Sequence, residues 1–245
     1  MIPQVEIFPD LTSLIDCALV LTLAAINRAI STDDRCTLVL AGGNTPKPLY
    51  EKLADLTLPW EKIHIFWGDE RYVPISHTDS NAGMAMAAWL NHVPIPAENI
   101  HPMPTAGSPQ ADAQAYDQHL QDFFGLGPAD FPCFDLVFLG LGPDGHTASL
   151  FPHTAALEIK DRNVTLGQKD QEPRITLTVP VLNQAQSILF LVTGSNKQEA
   201  LSQIFAPVGD SALFPARLIQ PTKGELVWLL DEAAGQNFHP SSALG

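Results

Sequence analysis

Short runs of apolar residues, rich in β-branched and aromatic side chains, recur along the chain. They fall at Val5–Phe8, Thr37–Ala41, Ile63–Trp67, Phe134–Gly140, Ile188–Val192 and Leu226–Leu230. Most lack the alternation of a strand with one wet face, the pattern expected of strands covered on both sides. Amphipathic stretches lie between them. Leu11, Leu14, Ile15, Ala18 and Leu19 follow the helical spacing i, i+3, i+4, and Asp10 stands where a helix N-cap belongs. This alternation predicts an α/β fold: an open, mainly parallel, Rossmann-like sheet with helices on both faces.

Two Pro-rich stretches, Val93–Pro109 and Gly127–Pro132, read as surface loops, and neither has the length or composition of a domain linker. The small, polar tail Gly235–Gly245 reads as loosely held. With no internal repeat, residues 1–245 are expected to form a single domain. The longest apolar stretch, Cys17–Ile26, is too short to span a bilayer and reads as the buried stripe of a helix. The N-terminus has no basic region followed by an apolar run, so no signal peptide is expected.

Composition narrows the function more than the fold. The chain has 245 residues, 45% apolar and 16% charged, enough for a core without staples. Its three cysteines, Cys17, Cys36 and Cys133, include no CxxC pair and read as reduced thiols of a cytoplasmic protein. Net charge is −14 with only 13 Lys plus Arg, a surface that repels a phosphate backbone, so nucleic acid is not an expected partner, nor is a membrane. A small anion remains a candidate if the few basic residues converge.

In such a sheet ligands bind beyond the carboxyl ends of the strands, and four of those ends carry chemistry. At Leu40-Ala41-Gly42-Gly43-Asn44-Thr45-Pro46 a strand runs through two glycines into a cap-type Thr and a Pro. Glycines let backbone N–H groups approach a ligand, and a helix N-terminus favours an anion. A tight turn that binds nothing fits this segment equally well. At Trp67-Gly68-Asp69-Glu70-Arg71 three charged residues follow a buried strand, where Arg71 is able to fork onto a phosphate. The plain alternative is a solvated turn. Downstream, Asp79-Ser80-Asn81 reads as a helix N-cap.

The third end, Phe138-Leu139-Gly140-Leu141-Gly142-Pro143-Asp144-Gly145-His146-Thr147, formally matches GxGxxG. A dinucleotide site is rejected: the motif lies far from the first strand, Pro143 breaks the turn, and no second βα unit with an acidic strand end follows. His146 follows a glycine turn two residues after Asp144, the arrangement a general base needs. At the fourth end, Leu191-Val192-Thr193-Gly194-Ser195-Asn196-Lys197, a Lys opposes the dipole of the helix it opens, a cost that a bound anion offsets; a Lys that simply points into water fits equally well. Arg174 opens Arg174-Ile175-Thr176-Leu177-Thr178-Val179-Pro180, either as an exposed edge residue or reaching over the site. Together an anion nest, an Arg, a His and a Lys on one rim point to a phosphorylated small-molecule substrate.

These motifs, Gly42–Pro46, Gly68–Arg71 with Asp79–Asn81, Gly140–Phe151, Arg174–Leu177 and Gly194–Lys197, resemble the 6-phosphogluconolactonase family in order and spacing over nearly the whole chain. The segment GPDGHTASLF (Gly142–Phe151) is the most specific. The resemblance implies the fold shared with glucosamine-6-phosphate deaminases and ribose-5-phosphate isomerase. It implies hydrolysis of 6-phospho-D-glucono-1,5-lactone to 6-phospho-D-gluconate, the second step of the oxidative pentose phosphate pathway. It also implies His146 as catalytic base with Asp144 beside it. Arg71, Arg174 and Lys197 would contact substrate, chiefly its phosphate, Asp69 would be a further substrate-binding residue, and Gly42, Gly43, Asn44 and Thr45 would form the sugar-phosphate loop. Asn44 departs from the Ser that many members carry, but still donates a hydrogen bond.

No cofactor is expected. There is no GxSxG elbow and no metal-ligand spacing; Asp144, His146 and His153 lie close in sequence without forming a ligand set. His64, His77, His92, His101, His119 and His239 read as structural or solvated. Two alternatives stand beside the lactonase. A deaminase-like isomerase needs a Glu a few residues after the His, where this chain has Phe151, and an aromatic where it has Arg71. A sugar-phosphate sensor would have no use for the Asp144–His146 pair.

Overall fold

The computed structural model describes residues 3–127, 130–169, 171–236 and 238. In chain order the strands and helices are β1 (Gln4–Phe8), α1 (Leu11–Asp33), β2 (Cys36–Leu40), α2 (Lys47–Ala54), β3 (Ile63–Trp67), β4 (Asp69–Arg71), α3 (Asn81–Ala88) and α4 (Pro109–Phe124). They continue as β5 (Leu136–Leu139), β6 (Val164–Lys169), β7 (Glu172–Leu177), α5 (Val179–Asn183), β8 (Ser187–Val192), α6 (Gln198–Ile204), β9 (Glu225–Asp231) and α7 (Glu232–Gly235).

All six apolar runs are strands of one parallel sheet, ordered β1-β9-β8-β5-β2-β3. Alternate side chains enter two separate cores, which is why the runs show no polar face. Leu38, Leu40, Ile65, Trp67, Leu136, Phe138, Leu189 and Leu191 pack with α1, α2 and α3. Val39, Phe66, Val137, Leu139, Ile188, Phe190 and Val192 pack on the other side with α4, α5, α6 and α7. There Phe190 and Trp228 lie parallel with centroids 3.7 Å apart. Each such fully buried side chain contributes roughly 1.5–3 kcal/mol.

Asp10 caps α1 as expected, its Oδ1 accepting from Ser13 N at 2.8 Å. The helix is longer than its apolar stretch suggests. By length and composition it would cross a bilayer, but it buries the stripe Leu14, Ile15, Ala18, Thr22, Ala25, Ile26 and Ala29 against the sheet.

Three expectations are corrected. Thr45 does not cap α2; the helix opens at Lys47 without a side-chain cap, and the Thr45 hydroxyl meets that of Thr193 at 3.0 Å. The stretch Val93–Pro109 is more than a surface loop, because Asn99, His101 and Met103 are buried and Ile100 bridges to Ile65 along the edge of β3. His64 lies on β3 rather than in a loop or on a helix. Of the other predicted loops, residues 128 and 129 and most of the tail 235–245 lie outside the described residues.

A second, antiparallel sheet, β4-β7-β6, was not foreseen as strands. It grows from the end of β3 through Gly68, whose N–H donates to Leu40 O (3.0 Å) and whose carbonyl accepts from Leu177 N (2.9 Å). The chain leaves β2 through α2 on one face of the large sheet, and leaves β5 toward the small sheet and α5 on the other. The adjacent ends of β2 and β5 thus form a topological switch point, where open α/β sheets leave a crevice.

Candidate active site

A cavity of about 320 Å³ occupies that crevice. Its walls include Gly42, Gly43, Asn44, Thr45, Asp69, Arg71, His146, Arg174 and Lys197, so nine predicted site residues meet at one place. Asp144, the tenth, stands behind His146 and bonds to it.

The turn that carries Asp144 and His146 follows β5. Gly142 N donates to His146 O (2.8 Å), Gly145 N to Gly142 O (3.0 Å), and the Thr147 hydroxyl to Gly140 O (2.9 Å). The loop is closed tightly enough that a Cβ at Gly142 would fall 2.0 Å from His146 Nδ1 and 2.5 Å from Asp144 Oδ1. Only glycine admits the imidazole there. Asp144 Oδ1 contacts His146 Nδ1 and also accepts from His146 N at 3.3 Å. A carboxylate on Nδ1 keeps the proton on that nitrogen and leaves the Nε2 lone pair for chemistry. Burial pushes the His146 imidazole below its ordinary 6.5, Asp144 pulls it up, and Lys169 adds to the downward push. Burial raises the Asp144 carboxyl, but the hydrogen bonds from His146 outweigh it and hold it below the ordinary value. The ring of Phe151 leans on His146 with centroids 4.6 Å apart.

Elsewhere on the lining a polar network fixes Asp69 and Arg71. Asp69 Oδ2 accepts from the Ser149 hydroxyl at 2.5 Å, and Asn81 Nδ2 donates to Asp69 O (2.8 Å) and Oδ1 (3.3 Å). Asn81 Oδ1 accepts from Arg71 Nη1 at 2.7 Å, and Asp79 O accepts from it at 2.8 Å. A Cβ on Gly42 would sit 1.7 Å from Asn81 Oδ1, so this glycine is needed for close approach of the β2 turn to α3. Glu70 is buried and serves the scaffold: it accepts from the N–H groups of Arg71, Asn81 and Ala82 (2.8, 2.7 and 2.8 Å) and from the Ser80 hydroxyl (3.0 Å). The expected cap is present as well, with Ser80 Oγ accepting from Gly83 N at 2.9 Å.

The small sheet explains the basic residues. Arg71 and Arg174 are register partners on β4 and β7. Like charges directly opposite each other on adjacent strands are unfavourable unless an anion lies between them. Arg174 reaches over the site rather than out to solvent: its side chain is 14% exposed and its Nε is buried with no hydrogen-bond partner among the described residues. Lys197 lies in a 3-10 turn, Ser195–Lys197, just ahead of α6. Burial lowers its ammonium below the ordinary value. Thr193 and Thr45 tie the β8 and β2 turns together, and the buried Tyr50 hydroxyl donates to Ala41 O at 2.8 Å behind them.

Asn81, Ser149, Thr193 and Lys169 belong to this region and were not singled out as site residues from sequence. Asn81 and Ser149 lay inside quoted motifs, but their partners are 12 and 80 residues away. Among the described residues no group of three or more His, Cys, Asp or Glu is arranged to hold a metal.

A family model described as glucosamine-6-phosphate isomerases/6-phosphogluconolactonase matches residues 9–228. A 6-phosphogluconolactonase of Synechocystis sp. is 56% identical over 241 residues, covering 98% of this chain and all of its own. One of Nostoc sp. is also 56% identical, over 94% of this chain and 96% of its own. The solved 6-phosphogluconolactonase of Trypanosoma brucei superposes with a TM-score of 0.86 at 31% identity, over 97% of this chain and 99% of its own. A monomeric glucosamine-6-phosphate deaminase, 20% identical with a TM-score of 0.80, shares the fold. By the extent of these matches, the chain belongs to the glucosamine-6-phosphate isomerase/6-phosphogluconolactonase family.

Proposed function

We propose that this chain is a 6-phosphogluconolactonase, hydrolysing 6-phospho-D-glucono-1,5-lactone to 6-phospho-D-gluconate without a metal, as the second step of the oxidative pentose phosphate pathway. The observation that carries the reading is the placement of a carboxylate-oriented imidazole and three cations, Arg71, Arg174 and Lys197, around one cavity. The names of the full-length relatives support it.

In this reading the cations and the Gly42–Pro46 turn hold the phosphate and sugar. Neutral His146 takes a proton through Nε2 from a water that attacks the lactone carbonyl carbon. The C–O bond to water forms as the carbonyl electrons move to oxygen, and the positive rim stabilises that oxyanion. Collapse breaks the bond to the ring oxygen, which takes the proton from the imidazolium. The new carboxylic acid then ionises. A six-membered lactone is already reactive, so positioning supplies much of the gain. The lowered His146 favours the basic form at neutral pH, and activity falls as pH drops through that lowered value.

Phe151 speaks against the deaminase reading. It stands where that chemistry needs a carboxylate, and it is 5% exposed with its ring against His146.

The test is to generate the lactone in situ and compare ring opening with the spontaneous rate, for wild type and His146→Ala. Strong acceleration that vanishes in the variant is expected. Tight 6-phosphogluconate binding without acceleration would make the chain a sugar-phosphate sensor. Acceleration that survives in the variant would move the base elsewhere.

A further inference from the structure

Four of the chain's 13 basic residues, Arg71, Lys169, Arg174 and Lys197, gather around this cavity in a protein of net charge −14. Three of them line it. Lys169 does not, and it ends β6 beside the turn into β7. Its register partner is Glu172, while Arg174 pairs with Gly167 two steps further in. The hairpin is held low over the site, since a Cβ on Gly167 would fall 2.4 Å from Ser149 O. The Lys169 ammonium rests 5.6 Å from the centroid of the Phe151 ring, and the Arg174 guanidinium lies 5.8 Å from the same centroid. Phe151 in turn touches His146.

A surface lysine in an acidic protein ordinarily finds a carboxylate. Among the described residues Lys169 makes no ion pair, and Glu172 lies toward Arg174 instead, at 3.9 Å. Lys169 is near enough to press on the charges of both His146 and Lys197. Such clustering is locally unfavourable and is offset when an anion arrives. The lysine stem is flexible and carries three donors, so its head can leave an aromatic face for a stronger acceptor.

We propose that Lys169 is a further substrate-binding residue, whose ammonium passes from the face of Phe151 to the phosphate of the bound sugar and closes the cationic rim from the hairpin side. This rests on the lactonase reading of the cavity. Lys169 is also a positioning residue for the base, because its charge helps to keep His146 neutral. The charged groups acting on His146 are Asp144 from its own turn, Asp69 from β4 and Lys169 from β6, while Lys197 ahead of α6 lines the same cavity and Arg174 of β7 lies against Phe151.

The experiment compares wild type, Lys169→Met and Lys169→Arg. Calorimetry measures 6-phosphogluconate and gluconate binding, NMR titration follows the His146 imidazole, and lactone kinetics give KM, kcat and the pH profile. Lys169→Met is expected to weaken 6-phosphogluconate binding and raise KM by about tenfold, the size of one charge-assisted hydrogen bond. Gluconate binding should change far less, and Arg should restore most of the loss. His146 should titrate at higher pH in the Met variant, moving the acid limb of kcat/KM the same way. Unchanged product affinity together with an unchanged His146 titration would overturn the proposal. An equal loss for gluconate and 6-phosphogluconate would overturn the phosphate assignment. If wild type binds 6-phosphogluconate through Lys169 but fails to accelerate ring opening, the lactonase reading fails and the binding role stands.

Discussion

Gly142→Ala tests whether the turn after β5 exists to place an imidazole. The substitution adds one methyl group, which would fall 2.0 Å from His146 Nδ1, 2.2 Å from its Cε1 and 2.5 Å from Asp144 Oδ1. Ordinary contact begins at 3.4 Å, so the ring must retreat by about 1.4 Å, the difference between the two distances. Misplacing a catalytic group by ~1 Å costs on the order of 100-fold, and losing a general base entirely costs up to about 10⁴-fold. The variant should therefore lose roughly 10²–10⁴ in kcat, approaching His146→Ala. KM should move little, because Arg71, Arg174 and Lys197 sit on other elements.

The backbone gives no reason for unfolding. Gly142 has no positive φ, and its N–H bond to His146 O does not involve the missing side chain. The assay is lactone ring opening under saturating substrate, with thermal unfolding and 6-phosphogluconate binding measured on the same preparations. Activity within threefold of wild type, in a variant with unchanged melting and product binding, would refute the steric reasoning and with it the tight placement of the pair.

Other expectations follow from the same contacts. Lys197→Ala should raise KM at least tenfold in steady-state kinetics, because a half-buried ammonium on the cavity wall is lost. Glu70→Gln should destabilise the fold by about 2–3 kcal/mol in urea unfolding, since an amide NH₂ would face donors that now point at a carboxylate. His101 bonds to His64 (3.1 Å) and His119 (2.9 Å), and burial with those neighbours lowers it from 6.5 to about 4. The unfolded chain therefore takes up this proton first, so stability is full above pH 6.5 and falls by about 3 kcal/mol toward pH 4, a loss that His101→Phe should remove from pH-dependent unfolding curves.

The large sheet was legible because its strands are buried on both sides. A run such as Ile188–Val192 has no other stable use, and its apolar character survives any detail of packing. The small sheet was not legible for the opposite reason. β4 is Asp-Glu-Arg, three polar residues, and β7 begins Glu-Pro-Arg; neither reads as a strand until its partner is beside it. The site divides along the same line. Glycine turns at strand ends announced Gly42, Gly43, Asp144 and His146, because local geometry demands those residue types. Asn81 looked like part of a helix cap, and its second task, bridging Asp69 to Arg71 above Gly42, depends on elements the sequence places far apart. Lys169 gave no local signal, since it matters only through a hairpin folded back over Phe151.

The placement of charge ties these pieces together. The chain carries an excess of acid, yet around this cavity it sets Arg71 opposite Arg174 and leaves Arg174 Nε without a hydrogen-bond partner among the described residues. Three of the acids nearby are spent on fixed tasks, and the fourth, Glu172, is exposed and lies 3.9 Å from Arg174 Nη2. Asp144 holds the imidazole, Asp69 is tied to Ser149 and Asn81, and Glu70 closes the start of α3. A fold selected for stability alone would have turned one of those carboxylates toward the arginines. Keeping them apart costs stability in the empty protein and leaves a positive field for a ligand that brings its own negative charge. Burial is the main push that keeps the His146 imidazole neutral, and Lys169 adds to it against the opposing pull of Asp144 and Asp69. Lys169 thus joins the two features: the charge that presses on His146 also adds to the positive field that draws an anion.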